Sequence, residues 1–150
     1  MYQRALVATD GSEFSRTALE HVARVADSAV IVRVADSVPM ILAGAGAPGF
    51  VDAETAQRLT DAELAEVETG LAESKEMLQA AGVSAVETVV GHGRPGDAIV
   101  QEAQKHGCDV IVIATHGRSG IARAMLGSVA DYVVHNAGDA AVLLVRPSTT

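Results

Sequence analysis

The sequence alternates short apolar runs with longer amphipathic stretches, and this alternation restricts the fold more than any other feature. The apolar runs have the length of strands and cover residues 5–8, 30–34, 86–90, 110–114 and 141–145. Helical spacing of apolar residues fills the stretches between them, near residues 12–26, 54–81, 97–106 and 128–138. This β-α-β-α-β-α-β-α-β order, without linker or repeat, predicts one α/β domain over residues 1–150 with a parallel sheet and right-handed crossovers.

Local signals support these boundaries. Ser12 or Ser15 can cap the first helix, whose predicted buried stripe is Ala18, Val22, Val25 and Ala26. Gly82 is expected to end the second helix, whose many acids are typical of a solvated face. The run 110–114 is the most apolar, which is typical of the centre of a parallel sheet. Residues 36–53 are predicted to form a mobile loop because they are rich in glycine and proline.

Composition narrows the class of protein. Of the residues, 49% are hydrophobic but only 3% are aromatic, so the core must be built from Ala, Val, Leu and Ile. The net charge of −8 makes nucleic acid an unfavourable partner. Cys108 is the only cysteine, which excludes an intrachain disulfide and favours a reducing compartment; it is expected to pack as a small hydrophobic residue. With no signal-peptide pattern and no apolar run long enough for a membrane span, a cytoplasmic location is expected.

The expected strand order directs attention to two loops. Five strands in the order 3-2-1-4-5, with helices on both faces, reverse their connection between strands 1 and 4. Ligands bind beyond the carboxyl ends of the strands at such a switch point. The loops there are residues 9–12 and 115–128, and the first of these, Thr-Asp-Gly-Ser, has the composition of a tight turn.

The second loop has the chemistry of a phosphate site. Gly117 and Gly127 allow backbone amides to approach a ligand without an intervening Cβ. Gly127 and Ser128 begin a helix, whose free N–H groups and dipole favour an anion, and Arg118 and Arg123 add cationic donors. The alternative is an ordinary loop that ends in a helix N-cap at Ser128.

Three separated motifs resemble the universal stress protein family, and the resemblance covers the full length. The family's ATP-binding members carry G-x2-G-x9-G-S/T after the fourth strand. Here Ala114, Gly117, Gly127 and Ser128 match that spacing, with alanine in place of the first glycine. The opening Val-x-Thr-Asp-Gly-Ser at residues 7–12 and the ending Ala-Val-Leu-Leu-Val-Arg-Pro at residues 141–147 also look like that family.

The resemblance implies a Rossmann-like sheet, similar to that of adenine nucleotide α-hydrolases, that binds ATP with Mg²⁺. Asp10 would accept a hydrogen bond from the ribose, although its place before Gly11 also suits a turn. Backbone groups near Val34 would contact the adenine edge, and the loop amides with the Ser128 hydroxyl would hold the phosphates. The implied nucleotide-binding residues are Ala8, Thr9, Asp10, Val34, Ala114, His116, Gly117, Arg118, Gly127, Ser128 and Val129.

No catalytic machinery is recognisable in the sequence. Lys75 and Lys105 are the only lysines, and neither lies in a P-loop; the first turn lacks a dinucleotide fingerprint, and no zinc or nucleophile-elbow spacing occurs. We therefore expect a nucleotide-dependent regulatory or stress-response module. The alternatives are a slow ATPase and a nucleotide-independent interaction protein of the same fold. The resemblance also implies a homodimer through the last strand, Ala141–Val145, which carries no charge to blunt an exposed edge.

Overall fold

A computed structural model describes residues 1–35, 52–115 and 127–146. The strands are β1 (Tyr2–Ala8), β2 (Ala26–Val34), β3 (Ala85–Gly91), β4 (Val110–Ala114) and β5 (Ala141–Val145). The helices are α1 (Glu13–Val25), α2 (Ala53–Ala80), α3 (Pro95–Lys105) and α4 (Ser128–Asn136). The expected loop at 36–53 lies outside the described residues except for its last two, Asp52 and Ala53, which begin α2.

The sheet confirms the predicted topology. Its order is β3-β2-β1-β4-β5 and every neighbouring pair is parallel. β1 occupies the centre, so the expectation that the most apolar run lies there is wrong: β4 is second from the edge. Four of its five residues are nevertheless buried, because β5 covers its outer edge and helices cover its faces.

The first crossover shows how local signals set boundaries. Ser12 is the N-cap of α1, and its hydroxyl accepts the Ser15 amide hydrogen bond at 3.3 Å. β2 follows α1 without a turn and begins at Ala26, four residues earlier than predicted. Ala26 is therefore buried as a strand residue beside Tyr2, not as part of the helical stripe, and Val25 is only partly buried.

The long helix α2 begins at an acidic cap and packs through few residues. The Asp52 carboxylate accepts a hydrogen bond from the Thr55 amide at 2.8 Å, and this bond is the main reason that the pKa of Asp52 is lowered. The buried residues of α2 are Val67, Leu71 and Leu78, while most of its acids are exposed as expected. Gly82, with φ of +96°, follows its end.

Alternation along the strands divides the core into two clusters, one on each face of the sheet. Ala5, Val7 and Ile31 belong to the cluster beneath α1 and α2, whereas Leu6 and Val30 belong to the cluster beneath α3 and α4. As composition predicts, the described core is aliphatic. Cys108 packs in the second cluster as expected, and burial raises the pKa of its thiol to about 11.

Candidate functional site

A cleft of about 370 Å³ lies over the carboxyl ends of β1, β2 and β4, where the strand order reverses. This volume falls within the range of small-molecule sites. We call it the switch-point cleft. Its described lining residues are Ala8, Thr9, Asp10, Ser12, Phe14, Ser15, Val32, Val34, Pro95, Ile99, Ile113, Ala114, Thr115, Gly127, Ser128, Val129 and Ala130.

One part of the cleft is apolar. Val32 and Val34 lie two residues apart on β2 and therefore share a face, and they line the cleft together with Ile99 and Ile113. Phe14, at the start of α1, also lines it and is 43% exposed. Apolar side chains of this kind favour a flat, weakly polar group such as a heterocyclic ring.

The turn from β1 to α1 is held by a chain of hydrogen bonds. The Gly11 amide donates to Thr9 Oγ1 at 3.2 Å, and Thr9 Oγ1 lies 2.9 Å from Ser15 Oγ. Ser15 Oγ donates to the Ser12 carbonyl at 2.8 Å, so the Thr9 hydroxyl must donate to Ser15. Thr9 and Ser15 are the buried polar residues in the described part of the protein. This series of hydrogen bonds gives both of their hydroxyl groups partners.

Asp10 has the turn role that its position before Gly11 suggests. Its Oδ1 accepts hydrogen bonds from the Ser12 amide, at 2.9 Å, and from the Ser12 hydroxyl. Gly11 then adopts φ of +81°, which a residue with a side chain rarely does. Local hydrogen bonding therefore fixes the Asp10 carboxylate in the lining of the cleft.

The helix α4 begins at the cleft without a side-chain cap. Gly127 is its N-cap and Ser128 its first residue, so the prediction of an N-cap at Ser128 is wrong. Because glycine has no side chain, no side-chain hydrogen bond caps the first turn. Gly127 has φ of −55°, and a Cβ there would meet nothing within 4 Å. Neither backbone strain nor packing within the described chain therefore requires glycine at this position.

The cleft brings together eight of the predicted site residues. They are Ala8, Thr9, Asp10, Val34, Ala114, Gly127, Ser128 and Val129. His116, Gly117, Arg118 and Arg123 lie outside the described residues. Sequence reasoning missed Ile99 and Phe14, which come from helices; strand alternation from Val34 would have indicated Val32.

The charge of the site is modest. Asp10 is the one charged side chain among the described lining residues. Within residues 1–35, 52–115 and 127–146, no three His, Cys, Asp or Glu side chains are grouped to hold a metal ion. A metal at this cleft would therefore need ligands from a bound molecule as well as from Asp10. The same described ranges contain no helix that is both long and apolar enough to cross a bilayer.

These features define a doubly wound α/β protein with a cleft at its switch point. The chain belongs to the universal stress protein family, whose sequence profile matches residues 1–146. It is 32% identical to universal stress protein MJ0531 of Methanocaldococcus jannaschii, over 98% of this chain and 84% of that protein. It is 29% identical to universal stress protein YxiE of Bacillus subtilis, over 97% of this chain and 100% of that protein.

Solved structures of similar proteins share the fold. The protein MJ0577 matches with a TM-score of 0.77 and 25% identity, over 100% of this chain and 99% of that one. A universal stress protein solved in complex with cAMP matches with a TM-score of 0.71 and 26% identity, over 98% and 99%.

Proposed function

We propose that this protein binds ATP, together with Mg²⁺, in the switch-point cleft and acts as a nucleotide-dependent regulatory or stress-response module. The observation that carries the proposal is the start of α4. Gly127, Ser128 and Val129 line the cleft, and within the described residues neither a side-chain cap nor a packing requirement accounts for Gly127. A helix N-terminus of this kind stabilises a phosphate through its amides and its dipole.

The cleft offers a complementary group for each part of the nucleotide. The amides of Ser128 and Val129 and the Ser128 hydroxyl donate to the phosphates, together with His116, Gly117 and Arg118 of the preceding loop. Asp10 accepts a hydrogen bond from the ribose, and the valines of β2 pack against the adenine, whose edge meets the backbone near Val34. A carboxylate beside phosphate oxygens is also the ligand set that Mg²⁺ prefers.

Adenine nucleotide is supported by a relative as well as by chemistry. A universal stress protein that is 26% identical to this chain was solved with cAMP. The preference for ATP rests on the spacing of Ala114, Gly117, Gly127 and Ser128, which is that of ATP-binding family members. Ala114 adds one methyl group where those members have glycine.

Binding, rather than turnover, is the proposed role. Asp10 is the only acid among the described lining residues, and its Oδ1 already accepts two hydrogen bonds from Ser12. A general base needs a proton within reach and an orienting partner, and no such pair lines the described cleft. Slow hydrolysis is the alternative activity, and a nucleotide-independent interaction protein is the other alternative.

Mass spectrometry after denaturation of the purified protein tests which nucleotide is bound, because it identifies any nucleotide that co-purifies. Calorimetric titration with ATP, AMP and cAMP, each with and without Mg²⁺, then ranks their affinities. We expect ATP with Mg²⁺ to bind most tightly and to be hydrolysed far more slowly than the enzyme median of about 10 per second. No measurable nucleotide binding would favour the interaction protein, and turnover near that median would mean an enzyme.

The assembly and location are proposed with the function. We infer a homodimer in which β5 pairs with its counterpart, because β5 is an edge strand and Val142, Leu143 and Leu144 are only half-buried. A cytoplasmic location is supported by the single, buried Cys108. The downstream partner would read nucleotide occupancy.

A further inference from the structure

A second cleft, of about 540 Å³, lies on the opposite face of the sheet from the apolar lining of the first. It is formed by α1, α2 and the end of β2, and we call it the arginine cleft. Its described lining residues are Thr9, Gly11, Arg16, Leu19, Arg33, Ala65, Glu66, Thr69, Gly70, Glu73, Ser74 and Met77.

Arg33 is the centre of this cleft. It lies between Val32 and Val34 on β2, so the alternation that directs both valines to the switch-point cleft directs Arg33 to the other face. Its side chain is only 15% exposed. The guanidinium lies against two glycines: a Cβ on Gly11 would be 3.0 Å from Nη1, and one on Gly70 would be 2.8 Å from the same atom.

Within the described residues the Arg33 guanidinium makes no hydrogen bond. Its one ion pair with the described chain joins Nη2 to Glu66 Oε1 at 3.8 Å, which exceeds a hydrogen bond, and the Glu66 side chain is 72% exposed. A guanidinium carries five N–H donors, and those of Arg33 are not among the buried, unpartnered atoms of the described chain, so solvent or a ligand can reach them. These accessible donors suit an anionic group.

The α2 side of the cleft carries negative charges and hydrogen-bond acceptors. Glu66 and Glu73 lie two helical turns apart on α2, on the side that lines the cleft. Thr69 and Ser74 donate their hydroxyl hydrogens to the carbonyls of Ala65 and Gly70, both at 2.9 Å, so towards any further group these hydroxyls can act only as acceptors. These groups suit a cationic donor.

We propose that the arginine cleft binds a small zwitterion with the chemistry of an aliphatic amino acid. Its carboxylate would pair with Arg33 and Arg16, and its ammonium group with Glu66 and Glu73. Leu19 and Met77 provide apolar surface for the side chain. The described lining carries two arginines and two glutamates, of which Arg33 and Glu66 lie 3.8 Å apart. A zwitterion offers a partner to both signs of charge, whereas a simple anion or a simple cation offers a partner to one sign.

The site is independent of the nucleotide proposed for the first cleft. Among the described lining residues each cleft has its own charged groups, and Thr9 is the single one of them that lines both. The two proposals can therefore fail separately.

Titration with L-valine, N-acetyl-L-valine and L-valinamide tests the proposal, because the three probes carry both charges, only the anion and only the cation. Two-dimensional amide NMR locates binding through the signals of Gly70 and Ser74. We expect saturable shifts with L-valine, with Kd at or below about 1 mM. The other two probes should bind at least about tenfold more weakly. Equal binding of N-acetyl-L-valine, or no saturation with L-valine, would overturn the proposal.

Two variants test the role of Arg33. Arg33→Gln should weaken L-valine binding at least about tenfold by removing the cation. Gly70→Ala leaves every side chain in place and suits a helix, but its Cβ would displace Arg33 Nη1. It should weaken binding as well, even where Arg33→Gln fails to fold. Gly127→Val, in the other cleft, should bind L-valine like the wild type. Wild-type binding by folded Gly70→Ala would contradict the inference.

Discussion

Thr9 is a small residue with several structural tasks. Its amide donates to the Val32 carbonyl at 3.0 Å and so continues the sheet for one residue beyond β1. Its hydroxyl links the Gly11 amide to Ser15, which lies in the first turn of α1. The position of Asp10 therefore depends on the Thr9 hydroxyl, whose partners are Gly11 and Ser15.

Thr9→Val should destabilise the protein while preserving its shape. Valine has nearly the same volume but removes the acceptor of the Gly11 amide and the hydroxyl that donates to Ser15 Oγ, which keeps its bond to the Ser12 carbonyl. We expect the free energy of unfolding to fall by about 1–3 kcal/mol, the usual cost of unsatisfied buried polar groups. Urea denaturation measures it. Thr9→Ser keeps the hydroxyl and is the matched control, so equal stability of the valine and serine variants would show that the hydrogen-bond chain contributes nothing.

Single residues also show where sequence reasoning fails. Ser12 was one of two possible caps for α1, and only the three-dimensional structure distinguishes it from Ser15, which is buried. At α4, a preference for serine at N-caps favours Ser128, but the backbone places glycine there. A cap is defined by the geometry of the chain that precedes it, and residue type specifies that geometry only weakly.

Among the elements, α4 is the one whose beginning bears on function. Its first turn has an apolar packed side, with Ala130 and Val133 buried, and an open side at the cleft. Glycine at the N-cap leaves that open side accessible. A larger residue there is compatible with the helix as far as the described residues go, because a Cβ at Gly127 meets none of them within 4 Å.

Gly127→Val should therefore fold normally but lose affinity for ATP. A branched side chain would push the phosphates away from the amides of α4. The loss of two charge-assisted hydrogen bonds, at roughly 1.5–3 kcal/mol each, weakens binding at least about a hundredfold. Calorimetry gives the affinity and circular dichroism checks the fold. Gly117→Val is expected to lose affinity for ATP in the same way as Gly127→Val.

The control for this experiment is Gly70→Ala, which changes a helical glycine in the other cleft and should leave ATP affinity unchanged. Gly44→Val, outside the described residues, is a second control. Wild-type affinity in folded Gly127→Val would mean that the glycine belongs to the turn alone and that the phosphate site lies elsewhere.

The boundaries of strands were predicted more accurately where the sequence changes sharply from polar to apolar residues. The bounds of β4 and β5 agree with the sequence pattern; Asp109 and Thr115 flank the apolar run of β4, and Arg146 follows that of β5. β2 was predicted too short because Asp27 and Ser28 are polar, and both lie at the amino end of the sheet, where Ser28 Oγ donates to the Gln3 carbonyl at 2.8 Å. Polar residues occur both at exposed strand ends and in turns. The periodicity of the sequence therefore could not show whether Asp27 and Ser28 belong to β2 or to a turn before it.

At the scale of the whole molecule, the alternation of elements predicted a parallel sheet with right-handed crossovers, but the order 3-2-1-4-5 was assumed, because other doubly wound orders satisfy the same rules. That order alone located the switch-point cleft, since the ends of β1 and β4 must meet there. The arginine cleft was not predictable. It depends on how α1 and α2 diverge over Arg33, and packing angles between helices leave no clear mark in the sequence.

The proposed dimer has a direct test at β5. Val142 and Leu144 share the face that packs against the second core cluster, yet each is only half-buried. Val142→Lys and Leu144→Lys each place a charge beside the paired edges, and we expect dimer affinity to fall at least about tenfold. Light scattering measures the assembly, and circular dichroism must show that each variant is folded. Folded variants that are both still dimeric would exclude this interface.

The burial of Cys108 limits how this protein can respond to oxidants. With a thiol pKa of about 11, only about one molecule in ten thousand carries a thiolate at pH 7, since each pH unit below the pKa changes the ratio tenfold. Peroxides react with the thiolate, and a buried, protonated thiol is nearly inert to them. Because the sequence contains no other cysteine, sulfenic acid and disulfide chemistry are poor routes for a signal. A signal that depends on thiol oxidation would therefore have to reach this protein indirectly, for example as a change in the nucleotide pool.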